Sequence, residues 1–175
     1  MNILAFAASN NKNSINRTLA TYTAHLFDNA NVETLDINDY EMPIFSDDRE
    51  KELGQPAQAK QFIQKIANAD AIIVSYAEHN GTFTAAYKNL FDWASRVNNK
   101  VYQNKPTLFL STSPGANGAA SVLAAASQSA PYAAADVKAS ISIPSFHDNF
   151  DIKTNQMLNE ELKQKLVTAV YSLAS

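Results

Sequence analysis

Apolar and polar positions along the chain alternate between two rhythms. Ile3 to Ala8 is a short, nearly unbroken apolar run, after which Ile15, Leu19, Tyr22, Leu26 and Phe27 recur at the spacing of one helix face. Val32 to Ile37 reads as a strand with polar residues interleaved. Phe62, Ile63, Ile66 and Ala67 form the next helical stripe, and Ala71 to Ala77 the next buried run. Tyr87, Leu90, Phe91 and Ala94 make a third stripe ahead of the run Thr107 to Leu110. An alanine-rich stretch from Gly118 to Ala130 reads as the fourth helix. Val137, Ala139, Ile141 and Ile143 alternate with Lys138, Ser140 and Ser142, the period of a half-exposed strand. Leu158, Leu162, Leu166, Val170 and Leu173 predict a closing amphipathic helix.

Five strand–helix units in succession predict a parallel sheet with helices on both faces. The first, third and fourth strands are nearly all apolar, as strands buried on both faces must be, while the second and fifth carry the polar residues of edges. The order 2-1-3-4-5 puts those two at the edges. The expected fold is therefore α/β and flavodoxin-like, a three-layer sandwich forming a single domain over residues 1–175. One connection breaks the rhythm: Asp39 to Gln55 holds Pro43, Gly54 and the charged run Asp47 to Glu52. It reads as a solvated surface loop, or as a flap facing a partner or substrate.

Composition narrows the function classes. With 175 residues, 46% of them hydrophobic and 18% charged, the chain is ordinary globular material. A net charge of −3 without a basic tract argues against a nucleic-acid partner. There is no cysteine, which excludes disulfides, thiolate metal sites and cysteine nucleophiles. No segment approaches the roughly 18 consecutive apolar residues of a membrane span, and Met1-Asn2-Ile3-Leu4 lacks the basic start of a signal peptide. The expectation is a cytoplasmic protein.

In such a sheet, ligands bind at the carboxyl ends of the strands beside the topological switch point, here the loops after strands one, three and four. The first loop, Ala8-Ser9-Asn10-Asn11-Lys12-Asn13-Ser14-Ile15-Asn16-Arg17, is rich in short donors and precedes a helix N-terminus, a setting that suits phosphate. Ser14 is the expected N-cap. The second, Tyr76-Ala77-Glu78-His79-Asn80-Gly81-Thr82-Phe83, carries the turn signal Asn-Gly and leads into Lys88-Asn89-Leu90-Phe91-Asp92-Trp93. The third, Ser111-Thr112-Ser113-Pro114-Gly115-Ala116-Asn117-Gly118, holds two of the chain's four glycines, a concentration that suggests close backbone approach. Glu78 reads as a carboxylate that accepts backbone N–H bonds. No Walker pattern, no G-x-G-x-x-G and no G-x-S-x-G elbow is present. His25 and His147 suggest no role.

These three loops resemble the NAD(P)H-dependent FMN reductase family of flavodoxin-like quinone, azo-dye and chromate reductases. Ala8-Ser9-Asn10-Asn11-Lys12-Asn13-Ser14-Ile15-Asn16 stands for that family's G-S-x-R-x-x-S-x-N loop. Ala77-Glu78-His79-Asn80 with Lys88-Asn89 and Asp92-Trp93 stands for P-E-Y-N followed by K-N-x-x-D-W, the most specific match. Ser113-Pro114-Gly115-Ala116-Asn117-Gly118 stands for S-x-G-x-x-G. The departures are Ala8 for glycine, Asn11 for arginine, Ala77 for proline and His79 for tyrosine, with Lys12 or Arg17 as the neighbouring cations able to replace the arginine. The resemblance implies bound FMN and NAD(P)H as co-substrate. Its contacts would be Ser9, Asn11, Ser14, Ile15, Asn16, Ala77, Glu78, His79, Asn80, Gly81, Ser113, Pro114, Gly115 and Gly118. Hydride would pass from the nicotinamide by way of FMN to a quinone, free flavin or similar acceptor in ping-pong order. A flavodoxin-type electron carrier, or an FMN-binding module without turnover, is the alternative. The resemblance also implies a homodimer or homotetramer, and the aromatic residues Tyr87, Phe91 and Trp93 mark the helix from Tyr87 to Val97 as its interface.

Overall fold

In the computed structural model, which describes residues 1–175, the five main strands form one parallel sheet. They are β1 (Asn2–Ala8), β2 (Asn31–Leu35), β3 (Ala71–Tyr76), β6 (Pro106–Thr112) and β7 (Asp136–Ile143), in the order β2-β1-β3-β6-β7. This is the flavodoxin-like 2-1-3-4-5 arrangement. Two short antiparallel pairs stand outside it: β4 (Glu78–His79) with β5 (Thr82–Phe83), and β8 (Phe150–Asp151) with β9 (Gln156–Met157).

Burial follows the polarity of the strands. Every residue of β3 is buried, as are all but the first of β1 and β6, whereas β2 and β7 are mostly half-exposed edges. The helices α1 (Ile15–Ala24) and α7 (Glu160–Tyr171) cover one face, where Leu19, Leu166 and Val170 pack with Ile3, Ile73 and Leu108. On the other face lie α3 (Ala57–Asn68), α4 (Ala85–Val97) and α5 (Ala120–Ser129). There Phe62, Trp93 and Val122 pack with Phe6, Val74 and Phe109. Burying one such side chain contributes about 1.5–3 kcal/mol, so the two layers supply the bulk of the driving force.

Three expectations need correction. Segment 39–55 is not a plain loop: Ile37–Tyr40 is a 3₁₀ turn and α2 (Asp47–Leu53) is a two-turn helix capped by Ser46. Within α2 no residue is buried, so its charged composition gave no apolar stripe to read. On β7 the regular alternation breaks. Thr107 pairs with Val137 but Leu108 pairs with Ala139, so a bulge at Lys138 turns Val137 toward the α4–α5 layer while Ala139 and Ile141 face α7. Finally, Leu158 lies ahead of α7 and is exposed, and the buried residue there is Met157.

The register brings the carboxyl ends of the central strands level. Ala8 pairs with Tyr76, Tyr76 with Ser111, and Ser111 with Ser142. The three loops therefore leave the sheet from one row.

Candidate functional site

Ser14 ends the first loop with an extended backbone, and its Oγ accepts the Arg17 N–H at 3.2 Å, capping α1 as expected. Upstream, the Ser9 Oγ accepts the Asn11 N–H and the Asn11 Oδ1 accepts the Asn13 N–H. Each serine hydroxyl thus uses a lone pair on the loop and keeps its own proton to donate outward. The N–H groups of Ile15 and Asn16, in the first turn of α1, have no acceptor within the helix. The loop thus offers four unused donors, two of them at the positive end of the helix dipole.

Asn16 does something different from the sequence expectation. Its side chain is almost wholly buried; Oδ1 accepts the Ser75 hydroxyl at 2.7 Å and the Thr112 N–H at 3.1 Å, while Nδ2 donates to the Thr112 carbonyl at 3.1 Å. Those bonds tie the start of α1 to β3 and β6, leaving its backbone N–H and one of its two amide protons for a ligand.

The second loop is the β4–β5 hairpin, turned at Asn80 and Gly81, both with positive φ. Thr84 follows; its hydroxyl caps α4 through the Tyr87 N–H and donates to the Ala8 carbonyl at 3.0 Å, locking the hairpin to the end of β1. The Glu78 carboxylate accepts the Val122 N–H at 2.8 Å, in the first turn of α5. That helix begins at Ala119 without a side-chain cap, so Glu78 supplies from another element what its own sequence lacks.

Between these loops lies a cavity of about 260 Å³, lined by Ser9, Asn11, Ser14, Ile15 and Asn16 from the first loop and Ala77, Glu78 and His79 from the second. Thr112, Ser113 and Pro114 close it from the third. Asn80, Gly81, Gly115 and Gly118 are not on its wall. Gly118 serves the fold instead: at φ +58°, an added Cβ would stand 2.3 Å from Ser142 Oγ and 2.9 Å from the Ile143 carbonyl. Its own carbonyl accepts the hydroxyls of Ser111 and Ser142. Asn13 and His147 also line the cavity and were not anticipated. His147 comes from the four-residue helix α6 (Phe146–Asn149) after β7, where a lone histidine in a polar loop carries no motif.

The specific motif on α4 is mainly structural. The Asn89 Oδ1 accepts the Phe45 N–H, its Nδ2 donates to the carbonyls of Met42 and Pro43, and the Trp93 Nε1–H donates to the Pro43 carbonyl at 2.7 Å. Lys88 and Asp92 form a neighbouring i,i+4 ion pair. Tyr87 and Trp93 are buried and Phe91 is half-buried. The surplus of exposed aromatic surface expected along this helix is therefore absent, because the sheet and segment 42–45 absorb two of the three rings.

The sequence profile of the family described as NADPH-dependent FMN reductase matches residues 1–148. The chain belongs to this family. Among its relatives, a 2-hydroxy-1,4-benzoquinone reductase of Burkholderia is 32% identical over 122 residues, 69% of this chain and 64% of that protein. An NADH-dependent flavin reductase subunit of Lactobacillus johnsonii is 28% identical over 172 residues, 92% of this chain and 89% of that one. A flavoenzyme NAD(P)H:acceptor oxidoreductase from Paracoccus denitrificans shares the fold with a TM-score of 0.80 at 22% identity, covering 98% of this chain and 94% of its own.

The donor set fits FMN at its anionic end. Ser9 and Ser14, with hydroxyl protons to donate, and Ile15 and Asn16, at the helix start, all line the cavity, and the one carboxylate on its wall, Glu78, is tied to Val122. What the site lacks is a fixed cation. Arg17 is held by Asp36 at 2.7 Å and by the Lys12 carbonyl, and neither Arg17 nor Lys12 reaches the wall. No helix is long and apolar enough to cross a membrane.

Proposed function

We propose that the whole chain acts as one FMN-binding domain and as an NAD(P)H-dependent reductase of quinones, free flavins or similar acceptors. The observation that carries this reading is the convergence of three motif-bearing loops on one donor-rich cavity at the carboxyl ends of β1, β3 and β6. The hydroxyls of Ser9 and Ser14 and the N–H groups of Ile15 and Asn16 hold the phosphate. Backbone of Ala77 to His79 and of Ser113 and Pro114 borders the ring. When bound, FMN supplies the hydride chemistry between nicotinamide and acceptor.

The protein's part is orientation. Glu78 fixes the hairpin against α5, and Thr84 fixes it against β1, so the backbone facing the ring edge is held from two sides. His79, exposed at the mouth, meets whichever reactant stacks there. Nicotinamide and acceptor use the one opening in turn, which makes turnover ping-pong. A homodimer or homotetramer is the assembly this reading expects, on the strength of the family resemblance.

Purified protein should be yellow and bind about one FMN per chain. It should oxidise NADH or NADPH with a quinone, giving parallel double-reciprocal lines. Colourless protein that does not take up FMN overturns the reading, and intersecting lines overturn the ping-pong order. A monomeric mass at micromolar concentration overturns the assembly.

A further inference from the structure

A second cavity, of about 250 Å³, lies between α4 and α5 on the other side of the β4–β5 hairpin. Glu78 and His79 line the first cavity, whereas Phe83, the cross-strand partner of Glu78, lines this one. Its walls are mostly aromatic rings and the methyl groups of Ala126, Ala130 and Ala133; the polar residues that line it are the ion-paired Lys88 and Asp92 and exposed Ser129. Three buried phenols face it. The Tyr76 and Tyr87 hydroxyls each hydrogen-bond the Tyr102 hydroxyl, at 3.0 and 2.8 Å.

The protons of this chain do not balance. Three hydroxyls bring three O–H donors, and two hydrogen bonds use two of them. The third donor has no protein acceptor, although all three side chains are more than nine-tenths buried. Burial raises all three phenols above the ordinary tyrosine range, so they stay neutral donors across the working pH range. A water molecule could meet that donor. Beyond Lys88, Asp92 and Ser129 the wall is rings and methyl groups, which offer further waters no partners. An apolar cavity of about 150 Å³ already admits one benzene ring, and this one is larger.

We propose that this cavity is a binding site for a compact aromatic molecule carrying one hydrogen-bond-accepting oxygen, with one ring or two fused rings. The Tyr76 ring meets those of Tyr87 and Phe109 at interplanar angles of 86°, so both edges and faces are offered to a flat guest. The acceptor oxygen takes the free phenol proton. This site is independent of the flavin reading, since it shares no wall residue with the first cavity.

The test is a pair of titrations of the purified full chain with 1-indanone and with indane, its hydrocarbon counterpart, followed by NMR of the alanine methyls. Indanone should shift Ala126, Ala130 and Ala133 saturably and leave Ala77, on the wall of the first cavity, unmoved. It should bind about tenfold more tightly than indane, the worth of one net hydrogen bond. Ala130→Leu, which fills the cavity, should abolish saturable binding. Absence of saturation, equal affinity for the two compounds, or shifts centred on Ala77 would each overturn the proposal. If Ala130→Leu fails to fold, the wild-type methyl map and the ratio of the two affinities decide the matter alone.

Discussion

Asn16 at the start of α1 and Asn89 in α4 each make three hydrogen bonds, and each ties distant pieces of backbone together. Their surroundings differ. The partners of Asn16 are buried, at the junction of β3 and β6, whereas those of Asn89 lie in the half-exposed segment 42–45. Water can replace a lost partner in the second place and not in the first. A polar residue in a ligand-binding motif is thus free to meet a ligand only if its own lone pairs and protons are not already used. By that measure the first loop divides: Ser9 and Ser14 keep a hydroxyl proton to offer and make no long-range bond, whereas Asn16 spends its carbonyl oxygen and one of its two amide protons on β3 and β6.

The comparison can be pressed hardest through the neighbour of Asn89. Trp93→Ala, which empties a fully buried indole position, should lower stability by about 3–5 kcal/mol in urea unfolding. A loss under 1 kcal/mol would show that segment 42–45 collapses into the space. Asn16→Ala should come next, at about 3 kcal/mol, because it strands buried groups of Ser75 and Thr112. Asn89→Ala should cost only about 1 kcal/mol. If the two asparagines came out in the reverse order, burial of their partners would not be what separates them.

Smaller effects test the free hydroxyls. Ser9→Ala should weaken FMN binding roughly tenfold in a fluorescence titration while scarcely moving the unfolding midpoint. Ser14→Ala should do the same at an added stability cost of about 1 kcal/mol for the lost cap. Unchanged affinity in both would remove this loop from the phosphate site.

Asp36 gives a pH dependence. Burial works to raise its carboxyl, but bonds from Asn38 and the Arg17 guanidinium outweigh burial and hold it below the ordinary carboxylate range. A carboxyl depressed in the folded chain favours folding above the unfolded value, near 4, and that contribution is lost as pH falls through the folded value. Asp36→Asn should therefore flatten the fall in urea midpoint below about pH 4 and leave the chain slightly less stable at pH 7. An unaltered acid limb would show that Arg17 gains nothing from this partner. The smallest stability change should come from His79→Tyr, at an exposed position, with the ratio of turnover on different acceptors as its readout. Identical ratios would mean that the imidazole points away from them.

The strand order was legible because burial on both faces leaves no place for polar side chains, and β1, β3 and β6 are written accordingly. The N-cap at Ser14 and the bracing role of Glu78 were legible from local chemistry. The bulge at Lys138 was not, since one extra residue in an alternating strand leaves the alternation intact on paper. Nor was the inward turn of Asn16, whose partners lie 59 and 96 residues away. The same holds for His147, which reaches the cavity only because β7 runs beside β6.

Trp93 also makes the molecule a reporter on itself. It is the only tryptophan in the chain, wholly buried, with Phe45 edge-on at 5.0 Å and its N–H on the Pro43 carbonyl. Intrinsic indole emission therefore comes from one joint, that between segment 42–45 and α4. While the joint is closed the emission is that of an indole shielded from water. Loosening that segment shifts it to longer wavelength even while the sheet stays folded. A single spectrum thus separates local detachment from global unfolding without any label.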